Sequence, residues 1–258
     1  MSGKLGRLLT VTSISIQGTL RGLRTLGLAV FGAIPSLIAL ALVSAHTSGH
    51  TLATTVEGLY ALLTLPIVVM VIVLVIAVGL FRNEIDAETL VYLSDRSVSR
   101  STIVFGKYLG GLVSSLLICL PAALLPLGIA ALGGASAYPL AVPVAAAVAT
   151  VLGVMAYVAF FLLLGLVSRS ALIIGLLFGF VWEQLLPLLP GDVPRLTLVF
   201  YLRSYLSGSL TNGPLGSYPH AVSPVLAVGA LVIVSIVLVY SAAISFRTIE
   251  TAPERESA

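Results

Sequence analysis

The sequence predicts an all-α, polytopic membrane protein with about six transmembrane helices. Its composition, its six apolar runs and its uneven spread of charge carry that reading. The chain has 258 residues, of which 59% are hydrophobic and only 9% charged. A soluble domain carries ~25% charged residues, so most of this surface must face lipid. Each span needs ~20 apolar residues. The length therefore suits six spans, short loops and no sizeable soluble domain.

The apolar runs extend from Leu26 to Ser44, Val56 to Phe81, Tyr108 to Leu132, Ala141 to Val167, Ala171 to Leu189, and Ala221 to Phe246. Residues 1–25 read as an interfacial amphipathic helix, 26–246 as the spans and 247–258 as a tail, all in one transmembrane domain. In the first segment Leu5, Leu8, Leu9, Ile16, Leu20 and Leu23 alternate with Arg7, Gln17, Arg21 and Arg24. That pattern suits a helix lying on anionic lipid. The stretch Ala41 to Ala45 resembles a signal cleavage site. The preceding segment and the apolar run are both too long for a usual signal, so span one is expected to be retained. Pro35, Pro66, Pro121, Pro126, Pro143 and Pro187 fall in the spans. They are expected to kink them, the freed carbonyls finding neighbouring donors.

The Lys and Arg residues orient the spans. Lys4, Arg7, Arg21, Arg24, Arg82, Arg96, Arg100, Lys107, Arg169, Arg247 and Arg255 all fall on one side. Only Arg195 and Arg203 fall on the other. The positive-inside rule places the richer side, with both termini, in the cytoplasm of a cell-membrane protein.

The segment from Arg82 to Lys107 holds about a third of the charged residues in a tenth of the chain. From Glu84 to Ser94 its acids come first, where they suit a helix dipole. Leu90 and Leu93 share a face. A turn follows around Asp95-Arg96-Ser97, and Ser99 is placed to cap a second helix that runs into span three. The same pattern also suits a solvated hairpin with no partner.

The string from Glu84 through Glu88-Thr89-Leu90, Leu93-Ser94, Ser97-Val98-Ser99-Arg100 and Gly106-Lys107 resembles a signature of the type-2 ATP-binding-cassette (ABC) exporter permeases. That signature lies between spans two and three of a six-span permease, as here. Glu88 stands where glycine is usual, and Ser97 where proline is usual; both make the turn less constrained. The match covers about a tenth of the chain, and the six-span layout extends it less specifically. The resemblance implies a cytoplasmic coupling helix that docks on a separate ATPase, with Glu84, Glu88, Thr89, Leu90, Leu93, Ser94, Val98, Ser99, Arg100 and Lys107 at that interface. It further implies two permease chains, as a homodimer or heterodimer, with two ABC-type ATPase subunits. Spans one, two and five would line the path.

The chain is expected to bind no cofactor, with ATP and Mg on the partner ATPase. A phosphate-binding loop needs Gly, four residues, then Gly-Lys-Ser/Thr. Here Leu5 and Tyr108 follow the two Gly-Lys pairs. An intramembrane enzyme is disfavoured by the lack of His-Glu-x-x-His, of Gly-x-Ser-x-Gly and of paired acids within the spans. Neither enzyme activity nor nucleic acid is expected. An ATP-independent carrier or a non-transport membrane assembly protein remains an alternative. A carrier usually needs an ion-coupling acid, and Glu183 is the sole candidate. Apolar pathways of Leu, Val and Ala suit amphiphilic cargo, although the same residues suit lipid contact.

Glu183 reads either as a polar group on the pathway or as an outer-interface residue that snorkels or pairs with Arg195 or Arg203. The second is favoured because charge is cheaper away from the midplane. Glu57 is expected at the interface too, with Trp182 as an anchor. Leu196 to Leu206 is expected to lie flat in the outer interface, and by resemblance to fold into short helices over the pathway. Gly106 with Gly110, and Gly175 with Gly179, are small-residue pairs expected to pack within the chain rather than at a dimer seam. His46, His50 and His220 fall on the outer side. Gly49 and the adjacent Thr and Ser argue for a loop there, so no metal site is expected.

Overall fold

The computed structural model describes residues 2–20, 22–45, 49–86, 100–133, 139–210 and 213–249. Among them every element is helical. Six helices are long and apolar enough to cross a membrane: Leu23–Ser44, Gly49–Phe81, Ser101–Leu132, Ala141–Val167, Ala171–Leu188 and Pro224–Phe246, taken below as spans one to six. A separate helix, Ser2–Leu20, precedes span one, and the chain breaks direction at Gly22, whose backbone is extended.

Spans two and four form the centre. In their most apolar windows 67% and 61% of residues are buried, against 17% in span one and 22% in span five. Leu65, Val68, Val69, Met70, Ile72, Val73 and Leu74 of span two are all essentially inaccessible. Without water between helices, close van der Waals packing has to hold them together. Gly165 permits it: a Cβ there would sit 3.0 Å from the Val78 Cα of span two. Span six lies against span four, and span one against span three.

The helix Ser2–Leu20 and the C-terminal end of span six lie at the same end of the bundle, here called proximal. The N-terminal helix packs along the start of span three. Cβ atoms at Gly106 and Gly110 would lie 2.7 Å from Val11 Cγ1 and 2.6 Å from Ser15 Cβ. Thr12 Oγ1 donates to the Gly106 carbonyl at 3.3 Å. Gly175 and Gly179 receive Leu74 and Met70 of span two. Both glycine pairs thus admit neighbours from the same chain. Phe81 and Phe246, with ring centroids 5.5 Å apart, join spans two and six at this end.

Two helices differ from their expected form. Span two begins at Gly49, seven residues before the expected Val56. His50 is therefore helical and exposed rather than in a loop, whereas His46 lies outside the described residues. The span-two helix also winds as a π-helix over Tyr60–Val69. A second π segment, Phe178–Trp182, interrupts span five.

Candidate functional site

The best-defined polar constellation lies at the distal end, around a helix in the connection between spans five and six. That helix, Leu198–Ser209, buries Val199, Phe200, Leu202 and Leu206. It packs against spans four and six. Its apolar face turns into the bundle, which corrects the expectation that this stretch lies flat in the interface. Buried apolar residues alternate with Tyr201, Arg203 and Tyr205, and the bundle takes the apolar set.

A helix starts with backbone N–H groups that have no partner of their own. Three are accounted for here. Thr197 is the N-cap, its Oγ1 accepting from Phe200 N at 3.2 Å. Leu198 N donates to Glu183 Oε1 at 3.0 Å and Val199 N to Glu183 Oε2 at 2.8 Å. The Tyr157 hydroxyl of span four completes the set, donating to Oε2 at 3.1 Å. Glu183 is 0% exposed. It neither snorkels nor pairs with Arg195, which instead bonds the Asp192 carboxylate at 3.1 Å near the surface. Its negative charge is met by peptide dipoles at a helix N-terminus, where a carboxylate is favoured. The π segment ends at Trp182, and there the facing changes: Phe180, Val181 and Trp182 are exposed, and Glu183 points inward. Trp182 donates from Nε1 to the Leu196 carbonyl at 3.1 Å.

Pro66 explains the position of Arg203. In a π-helix the N–H of residue i serves the carbonyl of residue i−5. Proline has no N–H, so in this register Pro66 leaves the Ala61 carbonyl without its donor. Arg203 Nη2 donates to that carbonyl at 3.0 Å. Where the π segment returns to α, Met70 N turns to the Ile67 carbonyl. The Pro66 carbonyl, its ordinary α-helical acceptor, is met by Gln184 Nε2 at 3.2 Å. Tyr60, the first π residue, donates to the Ala146 carbonyl of span four at 2.8 Å and lies 3.0 Å from Thr150 Oγ1. Lipid would leave the Ala61 and Pro66 carbonyls unsatisfied at a cost of several kcal/mol each. Arg203, Gln184 and Tyr60 together join span two to the distal helix, span five and span four.

Arg203 also lies over the Tyr218 ring, 5.6 Å from its centroid. Burial raises the Tyr218 phenol above its ordinary value, and the guanidinium opposes that shift. Glu57, expected at the interface, is buried within span two against Gly213, which has φ +83. His220 has a positive φ as well, in the turn before span six.

At the proximal end, span two continues as helix to Asp86 and the next helix begins at Arg100. Glu84 thus stands in the last helical turns before the connection, and Arg100 starts the following helix, directly after the residue expected to cap it. Glu88, Thr89, Leu90, Leu93, Ser94, Val98 and Ser99 lie outside the described residues. Lys107, expected on the docking surface, is instead 2% exposed. Its ammonium sits 4.5 Å from the Phe81 ring centroid and donates to the Leu80 carbonyl. The ammonium adds a second donor to a carbonyl inside the helix, near the proximal end of span two, and gains ring attraction. A cavity of about 320 Å³ also opens at this end, between the N-terminal helix and spans one and two, lined by Ser15, Arg24 and Ile76 among others.

Sequence reasoning found Glu183 but not its partners, which lie 15 and 16 residues downstream. It also missed Tyr157, Gln184 and the joint role of Pro66 and Arg203. The available signals were a proline in span two and one of only two cations on the distal side. No protein-family model matches the chain, and no curated protein matches it.

Proposed function

We propose that the chain is the membrane-spanning permease of an exporter driven by a separate ABC-type ATPase. The observation that carries this reading is the charged Glu84-to-Lys107 motif between spans two and three. The helices flanking it end and begin at the proximal end, beside the N-terminal helix and the end of span six. The described ends of the chain, Ser2–Leu20 and the end of span six, share a face with the helix ends at Asp86 and Arg100; in this reading it is the basic face that the positive-inside rule assigns to the cytoplasm. Spans one and five, with little of their surface buried, are open to a second permease chain as well as to lipid.

In this reading ATP binding draws two partner ATPases together, and the segment from Glu84 to Ser99 moves with them. Span two is rigidly joined to span four and to the distal helix, so motion at its proximal end reaches the distal end. Glu183 is a positioning residue that holds the distal helix in place. An ATP-independent carrier is the weaker reading, because Glu183, the acid it would use for ion coupling, already serves as a helix cap, and Glu57, the other buried acid among the described residues, lies at the start of span two rather than midway along a span.

Reversing charge at Glu84 and Glu88 tests the proposal. The double variant should insert normally but lose co-purification with the ATPase, or lose ATP-coupled transport. Retention of both coupling and assembly would sink it.

A further inference from the structure

A second cavity, of about 210 Å³, lies at the distal end between the start of span two, the distal helix and the turn before span six. Its polar lining includes Arg203, Ser217 and Tyr218; Gly58, Leu62 and Leu215 are among the remainder. We propose that this cavity binds the anionic headgroup, phosphate or carboxylate, of an amphiphile that enters from the adjoining lipid leaflet.

Arg203 supplies the charge argument. Among the described residues no carboxylate pairs with it; the described ion pair at this end joins Arg195 to Asp192. One guanidinium nitrogen is engaged by the Ala61 carbonyl, and Nε is buried with no hydrogen-bond partner. A carbonyl and an aromatic face attract a cation but do not neutralise it. A charge held among apolar spans is normally paired or faces a cavity that carries its counter-ion. Guanidinium is the side chain best matched to a phosphate or carboxylate.

The shape supplies the rest. Ligand pockets for drug-sized molecules hold ~300–1,000 Å³, so this cavity holds a headgroup and a few carbons but not a whole lipid. Leu62 at its rim is 64% exposed and offers an apolar surface along which an acyl chain can run outward. A soluble anion has no use for that surface. The inference does not rest on the transport reading.

The test is a titration of the full-length chain in uncharged detergent, followed by native mass spectrometry. The probes are lysophosphatidylglycerol, lysophosphatidylcholine of equal chain length, and inorganic phosphate. The unaltered chain should bind the anionic lysolipid at least about tenfold more tightly than the zwitterionic one. Arg203→Gln should abolish that preference, and Arg195→Gln should keep it. Gly58→Leu covers the case in which Arg203→Gln fails to fold. No atom lies within 4 Å of a Cβ built at Gly58, which lines the cavity, so a leucine there has room to start and its branch takes up cavity space. It should weaken the anionic lysolipid about tenfold while Arg203 remains. A preference that survives either Arg203→Gln or Gly58→Leu overturns the proposal. So does inorganic phosphate binding as tightly as the lysolipid, which would mark a site for free anions.

Discussion

The two ends of the bundle are closed by different physics. At the distal end, Glu183 and Gln184 of span five and Arg203 of the distal helix bond to backbone groups that the helices themselves cannot satisfy. At the proximal end, the N-terminal helix lies on glycines through shape, with Thr12 donating across to span three. The first arrangement is directional and fails sharply when one partner is lost. The second, for the N-terminal helix, is chiefly van der Waals contact, which tolerates sliding, while Lys107 ties span three to span two beneath it. A membrane protein that receives force at its proximal end is well served by that order: a compliant face where a partner pushes, and a pinned face opposite.

Glu183→Leu should break this contrast most strongly. It leaves two N–H groups and a tyrosine hydroxyl facing an apolar side chain, and losing one side of a buried charged network costs about 3–5 kcal/mol. Thermal unfolding in detergent should show the loss, and hydrogen exchange should show it first at the Leu198 and Val199 amides. A variant as stable as the parent would remove the cap from the explanation. Glu183→Gln should lie between the two, because its carbonyl oxygen still accepts.

The next largest effect belongs to Arg203→Met, which orphans the Ala61 carbonyl at a cost of about 1–3 kcal/mol. Pro66→Ala restores an N–H in the π register and should recover part of that loss in the double variant. Strict additivity of the two substitutions would show that proline and arginine do not share the carbonyl.

Lys107→Met should cost at least about 1–2 kcal/mol, through loss of its bond to the Leu80 carbonyl and its contact with the Phe81 ring. Its effect should stay at the proximal end, with exchange at the Leu198 amide unchanged. Arg195→Ala should change stability by no more than about 0.5 kcal/mol, because its pair with Asp192 is solvent-exposed. Were Arg195 to cost as much as Arg203, the distinction between pinned and solvated arginines would be lost.

The spans were legible because twenty apolar residues in a row leave few alternatives. Their ends were less so. The helix through span three starts at Arg100, directly after Ser99, as the capping pattern predicts, although the apolar run itself begins only at Tyr108. Span two starts at Gly49 rather than Val56, because His50 and three threonines dilute a hydropathy window even where the backbone stays helical. The distal site was harder. Glu183 stood out as an acid in an apolar run, and the usual rule sent it to the interface. Its real partners are backbone amides, which have no signature in side-chain chemistry. Pro66 was visible as well, but the carbonyl it orphans depends on the π register, and that register leaves no mark on composition. Arg203 was counted as a charge for orientation, when its placement answers a missing N–H.

The most direct test of the functional proposal is the mass of the native assembly, taken from membranes without crosslinking. The expected species contains two copies of the 26.7 kDa chain and two ABC-type ATPase subunits, and it loses the ATPases when Glu84 and Glu88 are reversed. A chain that moves its cargo with no ATPase in the assembly would contradict the permease reading.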